Sequence, residues 1–236
     1  MCLILFAYQP NNQHRLIVAA NRDEFYGRPS DSAKFWETAP QMLAGRDLEA
    51  GGTWLGVDRQ GRFAAVTNFR RSAADLTKTR SRGDLAHRFL AQNLSAREYY
   101  HLISPNLGDY RGFNLLLMDD SGLFYGSNER HDLLRLEPGV YGLSNQRLDC
   151  DWPKVVEGKA KLAAMAGQTN LGAEPLLELL LDAGDGRPFS NSFIQSDDYG
   201  TCVSTAVLIE HQGKVSFSEQ SFHPGGLTGD LSTFNF

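Results

Sequence analysis

Short apolar runs separated by tight polar turns dominate this chain, and that pattern predicts strands joined as hairpins. Residues 3–8 (LILFAY) and 15–20 (RLIVAA) flank the turn Gln9-Pro10-Asn11-Asn12-Gln13 and predict a first hairpin with both strands largely buried. A second pair covers 53–57 and 63–68 around Asp58-Arg59-Gln60-Gly61-Arg62. Segments 113–119 and 123–128 predict a third, with its turn near Asp119 to Gly122. Two short apolar pieces, 133–136 and 140–143, are split by Glu137-Pro138-Gly139. A last hairpin is expected from 202–210 and 214–222, followed by an irregular tail from His223.

Helical periodicity interrupts this succession twice. Asp84 is placed to cap a helix carrying Leu85, Phe89, Leu90 and Leu94, and a second helix follows Ser95 and ends before Pro105. Residues 153–166 predict a helix with Pro153 in its first turn and Gly167 as its stop. Another short helix is expected over 174–183. Residues 71–82 lack any period and read as a loop. Strands joined by short turns imply antiparallel sheets. Apolar residues on consecutive strand positions imply that both faces of a sheet are covered. The fold class is therefore α+β, two stacked antiparallel sheets with helices outside. No repeat or linker divides the chain, so one domain over 1–236 is expected.

Composition narrows the function classes. With 236 residues, 42% of them hydrophobic, the chain can build a substantial core. A net charge of −5 argues against a binder of nucleic-acid backbones. No apolar run of membrane-spanning length occurs, and the start MCLILFAYQP lacks the marks of a secretory signal. The three cysteines, Cys2, Cys150 and Cys202, show neither metal-ligand spacing nor a disulfide framework. A cytoplasmic protein without a resident metal or cofactor is the expectation, its oligomeric state open.

The candidate chemistry starts at Cys2, behind a methionine that a small second residue would allow to be removed. A mature chain beginning there carries a thiol and an α-amine on one residue, and the two can act as nucleophile and base without a histidine. The alternative is a small hydrophobe starting a buried strand. In the first hairpin Asn21-Arg22-Asp23-Glu24 fall beside Cys2, at the rim after the second strand. A carboxylate there could hold the amine, and an arginine could favour the thiolate. Capping a turn is their other reading. Asn68 and Asn145 each end an apolar strand, where an uncharged amide donor suits an oxyanion site, although forming a turn is asparagine's commoner job. Trp54, after Gly51-Gly52-Thr53, fits a pocket wall or a core, and Arg70 stands close by in the sequence.

At these residues the chain resembles the NRDE family, also called the transport and Golgi organisation 2 family. The matching pieces are Met1-Cys2, Asn21-Arg22-Asp23-Glu24-Phe25 with Arg28-Pro29, Gly51 through Val57, and Gly61-Arg62-Phe63 through Arg70. Gly112-Phe113-Asn114-Leu115, Gly142-Leu143-Ser144-Asn145, Trp152-Pro153-Lys154-Val155 and Tyr199-Gly200-Thr201 with Ser204-Thr205 complete them. The resemblance implies kinship with N-terminal-nucleophile hydrolases and their four-layer αββα sandwich. It implies Cys2 as nucleophile, with Asn21 and Asp23 in the early polar motif and Ser144-Asn145 in a later one. Arg22 is offset by two positions from the arginine of the penicillin and bile-acid amide hydrolases. Cys202 stands where relatives commonly carry arginine. Two functions follow from the resemblance. One is a hydrolase of a non-peptide amide bond in a small molecule, with Cys2, Arg22, Asp23, Asn68 and Asn145 catalytic and Asn21, Trp54 and Arg70 binding substrate. The other is a carrier for haem or a lipid-like ligand on the same scaffold.

Overall fold

The computed structural model describes residues 2–69, 78–130 and 132–236. They fall into two compact units, one formed by the chain up to Arg28 together with Pro138–Phe236, the other by Pro29–Glu137. Each unit holds one antiparallel sheet and a pair of helices.

In the first unit the sheet order is β10-β1-β2-β11-β12-β13. The strands are β1 (Cys2–Tyr8), β2 (His14–Phe25), β10 (Gly139–Leu143), β11 (Tyr199–Glu210), β12 (Val215–His223) and β13 (Leu227–Asn235). Helices α3 (Pro153–Ala166) and α4 (Ala173–Leu179) cover one face. Alternation sends Leu3, Leu5 and Ala7 of β1 and Ile17 and Ala19 of β2 to that face. There they form one core with Val155, Leu162 and Leu176. The intervening residues Ile4, Phe6 and Val18 are just as buried, which is why these strands read as unbroken apolar runs. Helix α3 docks closely on the sheet because glycine occupies two contact positions. A Cβ on Gly158 would lie 2.6 Å from Leu5 Cδ1, and one on Gly142 2.7 Å from Val155 Cγ1. Asn11, in the β1–β2 turn, donates from Nδ2 to the carbonyl of Ala166 at 2.8 Å. The C-terminal end of α3 therefore lies at the hairpin turn, and its N-terminal end lies toward Cys2.

The second unit has the order β3-β4-β5-β6-β7-β8-β9. Its strands are β3 (Ser30–Trp36), β4 (Ala39–Asp47), β5 (Leu55–Asp58), β6 (Phe63–Asn68), β7 (Phe113–Asp119), β8 (Gly122–Ser127) and β9 (Leu134–Arg135). Helices α1 (Gly83–Ala91) and α2 (Ala96–Ile103) supply Leu85, Phe89, Leu90 and Tyr99 to a core with Ala64, Leu115 and Leu117 of the sheet. Ser95 and Glu98 form a reciprocal capping box at the start of α2, as a serine just before a helix would predict. The β5–β6 turn is fixed by Asp58, which is fully buried. Its Oδ1 accepts from the backbone of Gln60 and Arg62, and its Oδ2 accepts from Arg62 Nε at 2.7 Å. The guanidinium then donates to the carbonyls of Leu90 and Leu94, tying the end of α1 to the turn.

Four sequence expectations need correction. Asn21–Glu24 do not follow β2 but lie within it, because β11 is long enough to pair with the strand to Phe25. The tail from His223 contains a regular strand, β13, whose mostly exposed residues carry no apolar alternation and whose backbone bonds to β12 define it. Strands β3 and β4 were not anticipated; β3, at the sheet edge, mixes buried and exposed positions irregularly. Asp84 lies inside the first turn of α1, and Arg82 takes the cap position, its side chain not capping the helix.

Removing one partner of the buried Asp58–Arg62 pair leaves the other charge uncompensated. Asp58→Ala should therefore lower stability by about 3–5 kcal/mol in denaturant titrations, whereas Asp31→Ala, which frees an exposed Lys34 partner, should cost less than ~1 kcal/mol.

Candidate functional site

The first unit gathers Cys2, Arg22, Asp23 and Asn145 at one end of its sheet. Cys2 opens β1 and pairs across the ladder with Arg22. Strand β1 stops there while β2 continues, so Asp23 lies just beyond the cysteine. On the other side, β10 places Leu143 opposite Ile4, and the following two residues clamp the start of β1. Asn145 Oδ1 accepts from the Cys2 nitrogen at 2.8 Å, and Ser144 Oγ donates to the Cys2 carbonyl at 2.6 Å. The backbone of Cys2 is thus held on both sides by side chains more than a hundred residues away.

Cys2 itself is half-buried. Desolvation pushes its thiol above the ordinary value, and the Asp23 carboxylate acts in the same direction. The positive amino terminus, the Asp23 backbone N–H and the Arg22 guanidinium oppose them. Asp23 is 4% exposed, and burial raises its pKa to about 6 against the pull of the amino terminus, Lys154, the Thr201 hydroxyl and Arg22. Thr201 Oγ donates to Asp23 Oδ1 at 2.7 Å. The same oxygen accepts the Ile194 N–H at 2.9 Å, so its single proton is directed to the carboxylate. Tyr199 OH adds a bond to the Asp23 carbonyl at 3.1 Å.

The β2–β11 ladder slips one residue at this place. Thr201 faces Asp23 and Val203 faces Arg22, leaving Cys202 as the extra residue of a bulge. Its sulfur contacts the carbonyls of Glu24 and Gly200, each at 3.6 Å. Burial raises the Cys202 thiol, and Arg22 is the first influence to oppose it. The guanidinium of Arg22, itself buried, therefore acts on both thiols.

Asn21 points the other way, toward the helices. Its Nδ2 donates to the carbonyls of Leu180 and Ser192, each at 2.9 Å, and its Oδ1 accepts from Ser204 Oγ at 2.5 Å. Both amide protons are thereby engaged in fastening the segment after α4 to the sheet. Asn68 and Trp54 belong to the second unit. Asn68 ends β6 with an exposed side chain opposite Phe113. Trp54 precedes β5, half-buried, and a Cβ on Gly45 would fall 2.4 Å from its ring. Arg70 lies outside the described residues. No group of three potential metal-ligating side chains occurs among the described residues.

Two residues of the site carry no role in the reading from sequence. Thr201 orients Asp23. Lys154, on the first turn of α3, is 1% exposed; burial lowers its pKa, and Asp23, Cys2 and Cys150 oppose that shift. A usable signal was its position: a lysine in the first turn opposes the helix dipole, and here an apolar helix face follows it directly.

The family model for Transport and Golgi organisation 2 matches residues 1–224. The human Transport and Golgi organization protein 2 homolog is 34% identical over 94% of this chain and 93% of its own length. The Drosophila melanogaster Transport and Golgi organization protein 2 is 26% identical over 94% of the chain and 92% of its own. Among solved structures, the Caenorhabditis elegans N-acylethanolamine-hydrolyzing acid amidase ortholog superposes with a TM-score of 0.58 at 10% identity, covering 88% of this chain and 92% of that one. The fold is accordingly α+β and N-terminal-nucleophile-hydrolase-like, as the sequence reading expected. By the family match over nearly its whole length, the chain belongs to the Transport and Golgi organisation 2 family.

Proposed function

We propose that this protein is an N-terminal-nucleophile hydrolase that cleaves an amide C–N bond of a small molecule, with Cys2 as its first residue after removal of Met1. The observation that carries this reading is the anchoring of the Cys2 nitrogen by Asn145 Oδ1 at 2.8 Å, beside a buried carboxylate. A nitrogen held there becomes, after processing, an amine fixed next to its own thiol. That geometry serves a one-residue nucleophile and base.

In this reaction the Cys2 sulfur attacks the carbonyl carbon and its proton passes to the α-amine. Asn145 and Asp23 hold that amine, Thr201 orients Asp23, and Arg22 favours the thiolate. The tetrahedral oxyanion needs uncharged donors, a role for the Asn145 amide NH2. Collapse breaks the C–N bond, and the leaving amine takes the proton from the α-ammonium. Water then attacks the thioester, with the amine as base, and releases the acid and free Cys2. The fold likeness to an N-acylethanolamine-hydrolysing amidase makes N-acylethanolamines the first substrates to test.

Intact mass of the active protein should show Met1 absent. Cys2→Ala should reduce hydrolysis by at least about a thousandfold, the scale of losing a nucleophile. Full activity with Met1 retained, or in Cys2→Ala, would sink the mechanism. Haem carriage would instead show as a Soret shift on adding haemin that Cys2→Ala abolishes.

Asp23 also gives a stability prediction. Its folded pKa of about 6 lies above its ordinary 3.8, so between those values the folded chain binds more protons than the unfolded one. Its contribution is least unfavourable in acid, worsens as pH rises through that window, and reaches its full cost above about 6. Asp23→Asn, which keeps an oxygen for Thr201, should be more stable than the parent at pH 7.5, by on the order of 2 kcal/mol. The difference should vanish near pH 4 while hydrolysis is lost at both.

A further inference from the structure

Among the described residues, Lys154 is a buried cation of the site that the mechanism above leaves unused. Its Nζ is buried and has no hydrogen-bond partner among the described residues. A lysine ammonium removed from water without hydrogen bonds is costly, so this position calls for a reason. The fold explains where the charge lies. Helix α3 runs alongside β1 with its N-terminal end toward Cys2, and Gly158 sits against Leu5. One turn back along the helix is Lys154; two residues back along the strand is Leu3, next to Cys2. The backbone N–H of Lys154 is fixed by the Phe189 carbonyl at 3.0 Å, and its Nζ lies 5.9 Å from the centre of the Trp152 ring. That ring is itself stacked on Phe189, with centroids 4.2 Å apart.

The charged and titratable groups facing the ammonium are Asp23 from β2, Cys2 from β1 and Cys150 from the segment before α3. All three are acids. The base of the proposed mechanism, the α-amine of a processed Cys2, would join this group at the same end of β1. With the buried Arg22, three cationic groups would then share one carboxylate in a poorly solvated place. A neighbouring fixed cation favours the neutral form of an amine, one of the ways in which enzymes activate amino groups.

We propose that Lys154 is a positioning residue whose buried ammonium keeps the α-amine of processed Cys2 neutral, and so able to accept the thiol proton at physiological pH. The proposal rests on the N-terminal-nucleophile reading above. It gives Asp23 a second task, since the carboxylate holds the amine and partners the lysine together. Protonation of the amine during attack on the carbonyl is then offset by the oxyanion that forms at the same moment, so the lysine disfavours the resting ammonium more than the transition state.

The test is a direct titration of the α-amine. Protein carrying 13Cα-labelled cysteine is followed by NMR from pH 5 to 10, with the Cys2 resonance assigned by its loss in Cys2→Ala. In the parent the midpoint should fall below the roughly 7.7–8.0 of an ordinary α-amine. Lys154→Met, which keeps the length and apolar stem of the side chain, should raise it by about one unit or more, and Lys154→Arg should leave it near the parent value. An unchanged midpoint in folded Lys154→Met, with Met1 absent and the parent active, overturns this proposal alone. Retention of Met1 in active parent protein overturns it together with the reading on which it rests.

Discussion

The bond between the Cys2 nitrogen and Asn145 Oδ1 depends on a constraint of sheet register, and the site depends on that bond. Strand β1 is flanked by β10 and β2, so its first residue has a neighbour on each side. On the β10 side, the pairing of Ile4 with Leu143 leaves Ser144 and Asn145 to bind the carbonyl and nitrogen of Cys2. On the β2 side, the pairing of Cys2 with Arg22 brings a guanidinium alongside and puts Asp23 one residue further on. A one-residue slip in either ladder would turn these side chains to the wrong face. The buried apolar residues that fix the register, Leu3, Leu5, Ile17 and Ala19, therefore also fix which side chains meet Cys2.

The electrostatics follow from the same arrangement. Strand β2 runs past the end of β1, so Asp23, Glu24 and Phe25 have no β1 residue opposite them. The long strand β11 supplies the missing backbone partner, and Asn21, Arg22 and Asp23 become almost fully buried. Burial raises the carboxyl of Asp23, as a desolvated acid requires, and the surroundings answer with an oriented hydroxyl, the amino terminus, Lys154 and Arg22. Such a cluster is held together by mutual satisfaction and not by its net stability, because each charge alone would be expensive in the interior. The bulge at Cys202 belongs to this economy of space. It lets Thr201 reach Asp23 while Val203 resumes the apolar pattern. A cysteine occupies the bulge, and Arg22 of β2 carries the positive charge beside it.

The motif residues Arg22, Asp23, Ser144, Asn145 and Thr201 all bear on Cys2 directly or through one bond. Asn21 differs: its motif position secures the segment after α4 to the sheet.

The sequence by itself determined the hairpins, both helix pairs and the proximity of Cys2 to Arg22, because these depend on local periodicity, turn residues and capping. The helix at Pro153–Ala166 is bounded by a proline and a glycine, and its limits could be read directly. Strands whose definition lies in backbone pairing were invisible, β13 and β3 above all, since an edge strand needs no apolar alternation. Only the tertiary structure decided that Asn145 takes the Cys2 nitrogen, that Thr201 orients Asp23 and that Lys154 is buried. Those contacts join residues far apart in the chain, and their existence depends on ladder register and on the direction in which α3 lies along β1. Neither quantity is encoded in any local stretch of residues.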